Sequence, residues 1–120
     1  MPNNSRLITT TKRRNDVEKL DTIIKTLEDL KVRDLAVYDF ENRSPFYDYF
    51  VIATTNERQG NAAINYLKKA LMADDIKHVE GKGGTWVLID THDVIIHLFR
   101  EEDRVFYGFD QRLMGVKRIV

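Results

Sequence analysis

Three carboxylates and two imidazoles stand where chemistry is conceivable: Asp48, Asp90 and Asp93, with His92 and His97. Paired carboxylates can hold magnesium for nucleotidyl transfer. That chemistry also needs a phosphate-cradling Gly-Ser element before the acids, and Phe46-Tyr47-Asp48 has none. The imidazoles raise a metal or acid–base site. His92 sits in a loop, His97 lies five positions further along an extended strand, and no third ligand stands at diagnostic spacing. Gly81-Lys82-Gly83-Gly84 is glycine-rich but lacks the Lys-Ser or Lys-Thr ending of a phosphate loop, so it reads as a flexible connector. No catalytic residue, metal or cofactor is expected. A small nucleotidyltransferase-like enzyme using magnesium and a nucleotide stays as the alternative.

The same residues read better as a surface. Trp86 to Phe99 has the pattern of strand, tight turn, strand. With a two-residue loop at Thr91-His92, Asp90 lies opposite Asp93, Ile89 opposite Val94, Leu88 opposite Ile95, Val87 opposite Ile96 and Trp86 opposite His97. Side chains alternate along a strand, so two faces separate. One carries Val87, Ile89, Val94, Ile96 and Leu98, all aliphatic and suited to covering helices. The other carries Trp86, Leu88, Asp90, Asp93, Ile95, His97 and Phe99. A core face has no need of the charges, and a wet face has no need of the aromatics. The mixture suits a protein-binding surface, with aromatic anchors beside charges that set partner choice.

The positioning elements follow in order. Asn15 with Glu18 resembles a capping box, and Val17, Leu20, Ile23, Ile24, Leu27 and Leu30 predict a helix over 16–31. Strands are predicted at 35–40 and 49–54, with Pro45 in the loop between them. Asn56 with Gln59 caps a second helix running to about Asp74, its inner stripe Ala63, Tyr66, Leu67, Ala70 and Leu71. A short strand at 77–80 precedes the hairpin, and Glu101-Glu102-Asp103 opens a last helical turn that Gly108 ends. The order α-β-β-α-β-β-β-α predicts an α/β chain of α+β type: a mixed sheet whose helices cover one face and leave the aromatic, acidic face free.

Length and charge narrow the class. The 120 residues suffice for one domain, and the chain has no cysteine, which removes disulfides and thiolate chemistry. No apolar signal core opens the chain and no apolar run approaches the ~20 residues of a membrane span, so a soluble cytoplasmic protein is expected. The net charge of zero hides an asymmetry: +4 over 1–15 from Arg6, Lys12, Arg13 and Arg14, +2 over 116–120, and −6 over the rest. An acidic body suits a basic protein partner better than a phosphate backbone. Residues 1–14 read as a disordered basic arm, either solubilising or touching nearby RNA; 15–115 as a single domain; and 116–120 as a tail.

Particular residues then carry a resemblance. Trp86-Val87-Leu88-Ile89-Asp90, Asp93-Val94-Ile95-Ile96-His97-Leu98-Phe99, Glu102, Arg104, Phe106 and Tyr107 form its strongest block. Tyr47-Asp48-Tyr49-Phe50-Val51-Ile52-Ala53-Thr54 forms a second, and Gln59 with Ala63-Ile64 a third. Over roughly Asp16 to Tyr107 the chain resembles the ribosomal silencing factor (Iojap) family. The resemblance implies a nucleotidyltransferase-like fold without known activity. It also implies docking on the large ribosomal subunit, through the protein conventionally numbered fourteen, on the subunit-joining face. Translation repression under nutrient limitation would follow from blocking the small subunit. The chain departs from the family in having His92 where glycine is usual, Thr55 and Glu57 in place of small residues, and no terminal Leu-Trp segment.

The expected partner-binding residues are Trp86, Asp90, Asp93, His97, Phe99, Glu102, Arg104, Asp48 and Tyr107. Several have a structural alternative. Trp86 can pack on His97 as a half-buried sheet aromatic, Asp48 can cap backbone N–H groups, Arg104 can pair with Glu101, and Tyr107 can be core or rim. An exposed aromatic face also suits a homodimer of the free protein.

Overall fold

The computed structural model describes residues 4–120, with side chains from Val17 onward. Helix α1 spans Asn4–Asp29 and strand β1 Arg33–Asp39. Strand β2 covers Tyr49–Thr54 and helix α2 Glu57–Ala70. After a short 3-10 turn at Ala73–Asp75 come β3 at His78–Glu80, β4 at Trp86–Asp90 and β5 at Val94–Phe99. Helices α3 (Glu101–Tyr107) and α4 (Phe109–Arg112) precede β6 (Lys117–Arg118). Among the described residues no helix is long and apolar enough to cross a membrane.

The predicted mixed α+β sheet is present, in the order β3-β4-β5-β2-β1-β6. Strands β2 and β5 run parallel at its centre, and every other neighbouring pair is antiparallel. The parallel pair needs a crossover, which α2 supplies. Asn56 caps α2 as expected: its side chain accepts from the Gln59 N–H at 2.7 Å, and the Gln59 side chain accepts from the Asn56 N–H at 3.0 Å.

Helix α1 departs from its prediction at the front. It begins at Asn4 and passes through Asn15, the expected cap. No glycine or proline interrupts Asn4–Asp29. Residues 1–3, and the side chains of Arg6, Lys12, Arg13 and Arg14, lie outside the described set. At its other end α1 closes with Lys31 in a left-handed conformation (φ 58°), the Lys31 N–H on the Glu28 carbonyl and the Val32 N–H on the Leu27 carbonyl. That pair of bonds satisfies carbonyls the helix end would otherwise orphan.

Helices α1 and α2 pack on one sheet face. Leu20, Ile23 and Leu27 meet Ala63, Ile64 and Leu67 over Val51, Val87, Ile89, Val94, Ile96 and Leu98, all buried. This is the aliphatic hairpin face read from the sequence.

The hairpin turn slips by one residue. Its loop is His92-Asp93, closed by Thr91, whose N–H and hydroxyl both donate to the Val94 carbonyl, at 3.0 and 2.7 Å. Trp86 therefore faces Phe99, and His97 faces Leu88. A shift of two in pairing preserves which side chains share a face, so the two faces survive.

The second face is only half open, against expectation. Phe109, Leu113 and Val116 fold back over Ala36, Tyr38, Ile52 and Phe99 to form a second, smaller core. The tail is not free either: β6 pairs with Tyr38 and Asp39, and the Ile119 N–H donates to the Val37 carbonyl at 2.8 Å.

Candidate partner-binding surface

An aromatic band crosses the second face from β1 to α3. Phe40 and Tyr47 lie 4.9 Å apart between ring centroids, Tyr47 and Phe50 4.5 Å, and Phe50 and His97 5.0 Å. Beyond His97 the band continues through Trp86, which contacts Phe99 at 5.0 Å and Tyr107 at 4.8 Å. Phe109 caps this end, 5.0 Å from His97 and 5.5 Å from Trp86. Leu88 and Ile95 keep part of their surface beside the band. Strand alternation turns four of these rings to this side: Phe50 from β2, His97 and Phe99 from β5, Trp86 from β4.

His97 lies at the centre and is only 4 % exposed. Trp86 Nε1–H donates to His97 Nδ1 at 3.2 Å, which requires the neutral imidazole carrying its proton on Nε2. Nε2 is buried and has no partner among the described residues. Burial pushes the imidazole down to about 4, because a charge there would be stripped of water among phenyl rings. Phe99 has no exposed surface at all. In this structure His97 and Phe99 lie beneath the surface, packed against Trp86 and Phe109.

Arg104 also lies beneath the surface. It is buried, and its partner is Asp110, in a two-pronged contact with Nε and Nη2 at 2.9 and 2.8 Å, not Glu101. Its Nη1 donates to the Asp34 carbonyl at 2.6 Å and to Thr54 Oγ1 at 3.1 Å. One guanidinium thus ties α3 and α4 to β1 and β2, across the β1 bulge where Asp34 takes φ 50°. The contact raises the Arg104 pKa and holds the Asp110 carboxyl below its usual range.

The acids flank the band. Asp48, Asp90 and Asp93 gather at one sheet end, where the Asp48 and Tyr49 N–H groups both donate to the Asp93 carbonyl, at 2.7 and 3.0 Å. All three keep part of their surface. Asp90 also shapes the turn, accepting the His92 N–H at 2.8 Å, and His92 takes φ 70° in the left-handed region. Among the described residues no three His, Cys, Asp or Glu side chains converge as a metal site. At the other end, Glu102 and Tyr107 are exposed on α3.

Trp86 unites both of its readings, half-buried and bonded to His97 yet open on its outer side. Its backbone is held by the glycine loop, which is no plain connector. Gly81 takes φ 78°, and a Cβ there would collide with the Trp86 carbonyl oxygen. The Gly84 N–H closes this turn on the Gly81 carbonyl at 2.8 Å.

Sequence reasoning missed Tyr47, Phe50 and Phe109 as part of the band. It also missed Val105, Phe106 and Met114, which lie 76 to 81 % exposed on and after α3. Phe50 joins through the β2–β5 pairing, where it sits opposite Ile95, so strand order was needed to find it. Phe109, Leu113 and Val116 recur at spacings of four and three after Gly108, a faint signal of a covering segment.

These features define a small α+β domain, one sheet face closed by two helices and the other presenting an aromatic band between acidic groups. A family profile described as "Ribosomal silencing factor during starvation" matches residues 13–113. The chain belongs to this family. A ribosomal silencing factor of Halalkalibacterium halodurans is 31 % identical over 98 residues, covering 78 % of this chain and 84 % of that one. Another from Zymomonas mobilis is 33 % identical over 96 residues, covering 77 % and 72 %. The crystal structure of a Chromobacterium violaceum protein superposes with a TM-score of 0.73 at 29 % identity, covering 86 % of this chain and 88 % of that one.

Proposed function

We propose that this protein represses translation in the cytoplasm by docking on the large ribosomal subunit, through its protein numbered fourteen, and sterically blocking the small subunit. Family membership supports the class of function. The observation that carries the docking reading is the second sheet face, where an aromatic band stays partly open between acidic groups. Asp48, Asp90 and Asp93 stand at one end of it and Glu102 at the other, on a body of charge −6. Aromatic side chains held rigid by their neighbours lose little entropy on binding, and acids around them favour a basic partner and speed encounter. Trp86, Tyr107 and the acids make the contact, with Phe106 and Val105 extending the apolar patch along α3. His97, Phe99 and Arg104 act from below by fixing that surface. The protein acts as a binding module and not as a catalyst.

The test is a subunit-joining assay. Added to separated subunits, the protein lowers the yield of joined ribosomes in proportion to its occupancy, whereas preformed translating ribosomes resist it. Undiminished joining at saturating protein overturns steric blocking.

A further inference from the structure

The segment after Gly108 lies on the second sheet face but is thinly tied to it. Gly108 turns the chain at φ 62°, and Phe109, Leu113 and Val116 then pack over Ala36, Tyr38, Ile52 and Phe99. The backbone bonds of this stretch are local: the Arg112 N–H donates to the Gly108 carbonyl, Leu113 to Phe109, Met114 to Gln111 and Val116 to Leu113. Its polar ties to the body, among the described residues, are the Asp110 carboxylate on Arg104, the two-residue strand β6, and the Ile119 N–H on the Val37 carbonyl. Its charge is opposite to that of its bed. Residues 109–120 hold Arg112, Lys117 and Arg118 against one acid, Asp110, and Lys117 pairs in register with Asp39 of β1. Basic groups among apolar side chains are the chemistry that an acidic, aromatic face selects in a partner. Beneath the segment lies an unmet group. Of the rings around His97, Phe50, Trp86 and Phe99 belong to the sheet and Phe109 to this segment, and His97 Nε2 is buried with no acceptor among the described residues.

We propose that Phe109 to Val120 is an autoinhibitory strap, an intramolecular stand-in for the basic partner, which swings off about Gly108 when that partner docks. The strap's role rests on the docking reading above, whose surface it extends. The partner first meets the open side of Trp86 and Tyr107, then takes the strap's place over Ile52 and Phe99. There an oxygen acceptor of the partner receives the His97 Nε2–H, which is left unpaired, at a cost in free energy, while the strap is closed. Because only the open form offers the whole surface, apparent affinity is reduced by the fraction of molecules that are open.

The experiment uses a disulfide lock. The chain has no cysteine, and Asp39 and Lys117 are paired across β1 and β6, within the Cα separation a disulfide spans. Asp39→Cys with Lys117→Cys therefore fixes the strap when oxidised and frees it when reduced. Two quantities are measured: amide hydrogen exchange of the free chain, and affinity for the isolated large-subunit protein numbered fourteen. In the reduced chain the amides of Leu113, Val116 and Ile119 exchange together, at least about tenfold faster than those of β2 and β5, and oxidation slows them by a similar factor. The oxidised chain binds the isolated protein at least about tenfold more weakly than the reduced chain. Asp110→Asn, which loosens the contact with Arg104, makes the same test without cysteines and tightens binding roughly three- to tenfold. The strap is overturned if oxidised and reduced chains bind alike, if Asp110→Asn leaves affinity unchanged, or if the strap amides exchange no faster than those of β2 and β5. If no form binds the isolated protein, the docking reading falls instead, and the exchange comparison alone decides the strap.

Discussion

The buried histidine makes the sharpest test of how the surface is built. His97 is neutral in the folded protein, pushed down to about 4, and returns to its ordinary value of 6.5 when the chain unfolds. Between those values the unfolded state binds the extra proton, so stability rises with pH and is lost as pH falls from 6.5 toward 4. The loss from this one group amounts to roughly 2–3 kcal/mol between about pH 7 and pH 4.5, at 1.36 kcal/mol for each pH unit crossed. His97→Gln removes the titration and leaves a carbonyl oxygen to accept the Trp86 indole N–H. Urea unfolding of both chains across this range cancels the carboxylates and the exposed His78 and His92, which the chains share. The expected result is a wild-type curve that drops below the variant's as acid is added. Parallel curves down to pH 4.5 would refute the buried, neutral histidine and with it the support assigned to Trp86.

Further outcomes follow from the same geometry. Ile96→Ala opens a cavity under α1 and α2 and costs roughly 2–5 kcal/mol, with the binding affinity of the folded fraction unchanged; calorimetry and titration separate the two. Gly81→Ala lowers the melting temperature far more than Gly83→Ala, because a Cβ at Gly83 meets nothing within 4 Å. Arg104→Ala destabilises by about 2 kcal/mol, since it strands the Asp34 carbonyl and Thr54 hydroxyl. Glu102→Gln, at an exposed site, changes stability by no more than about 0.5 kcal/mol while weakening ribosome binding, an effect that shrinks as salt rises; Tyr107→Ala weakens binding and also costs about 0.5–1.5 kcal/mol of stability, because it removes the ring packed on Trp86.

Much of this arrangement was legible from periodicity and capping. Strand β2 has the bounds its β-branched and aromatic run predicts, and Asn56 with Gln59 starts α2 where the pattern says. The hairpin faces were readable because alternation survives an even shift in pairing, even though the turn itself moved to His92-Asp93. What escaped were elements too short to have a period. Helix α4 has four residues and β6 two, yet the segment Phe109 to Val116 covers part of the second face and β6 adds a strand to the sheet edge. Their effect is tertiary: Phe109 and Leu113 bury Phe99, and Asp110 recruits Arg104, so residues whose types suggested a contact surface became its foundation. The start of α1 escaped for the opposite reason. Asn15 has the type of a cap, but nothing in the preceding residues stops a helix.

Co-sedimentation of the purified chain with separated ribosomal subunits measures docking on the large subunit itself. The expected result is stoichiometric recovery with large subunits, none above background with small subunits, and competition by the isolated large-subunit protein numbered fourteen. Equal recovery with both subunits, or with neither, would contradict it.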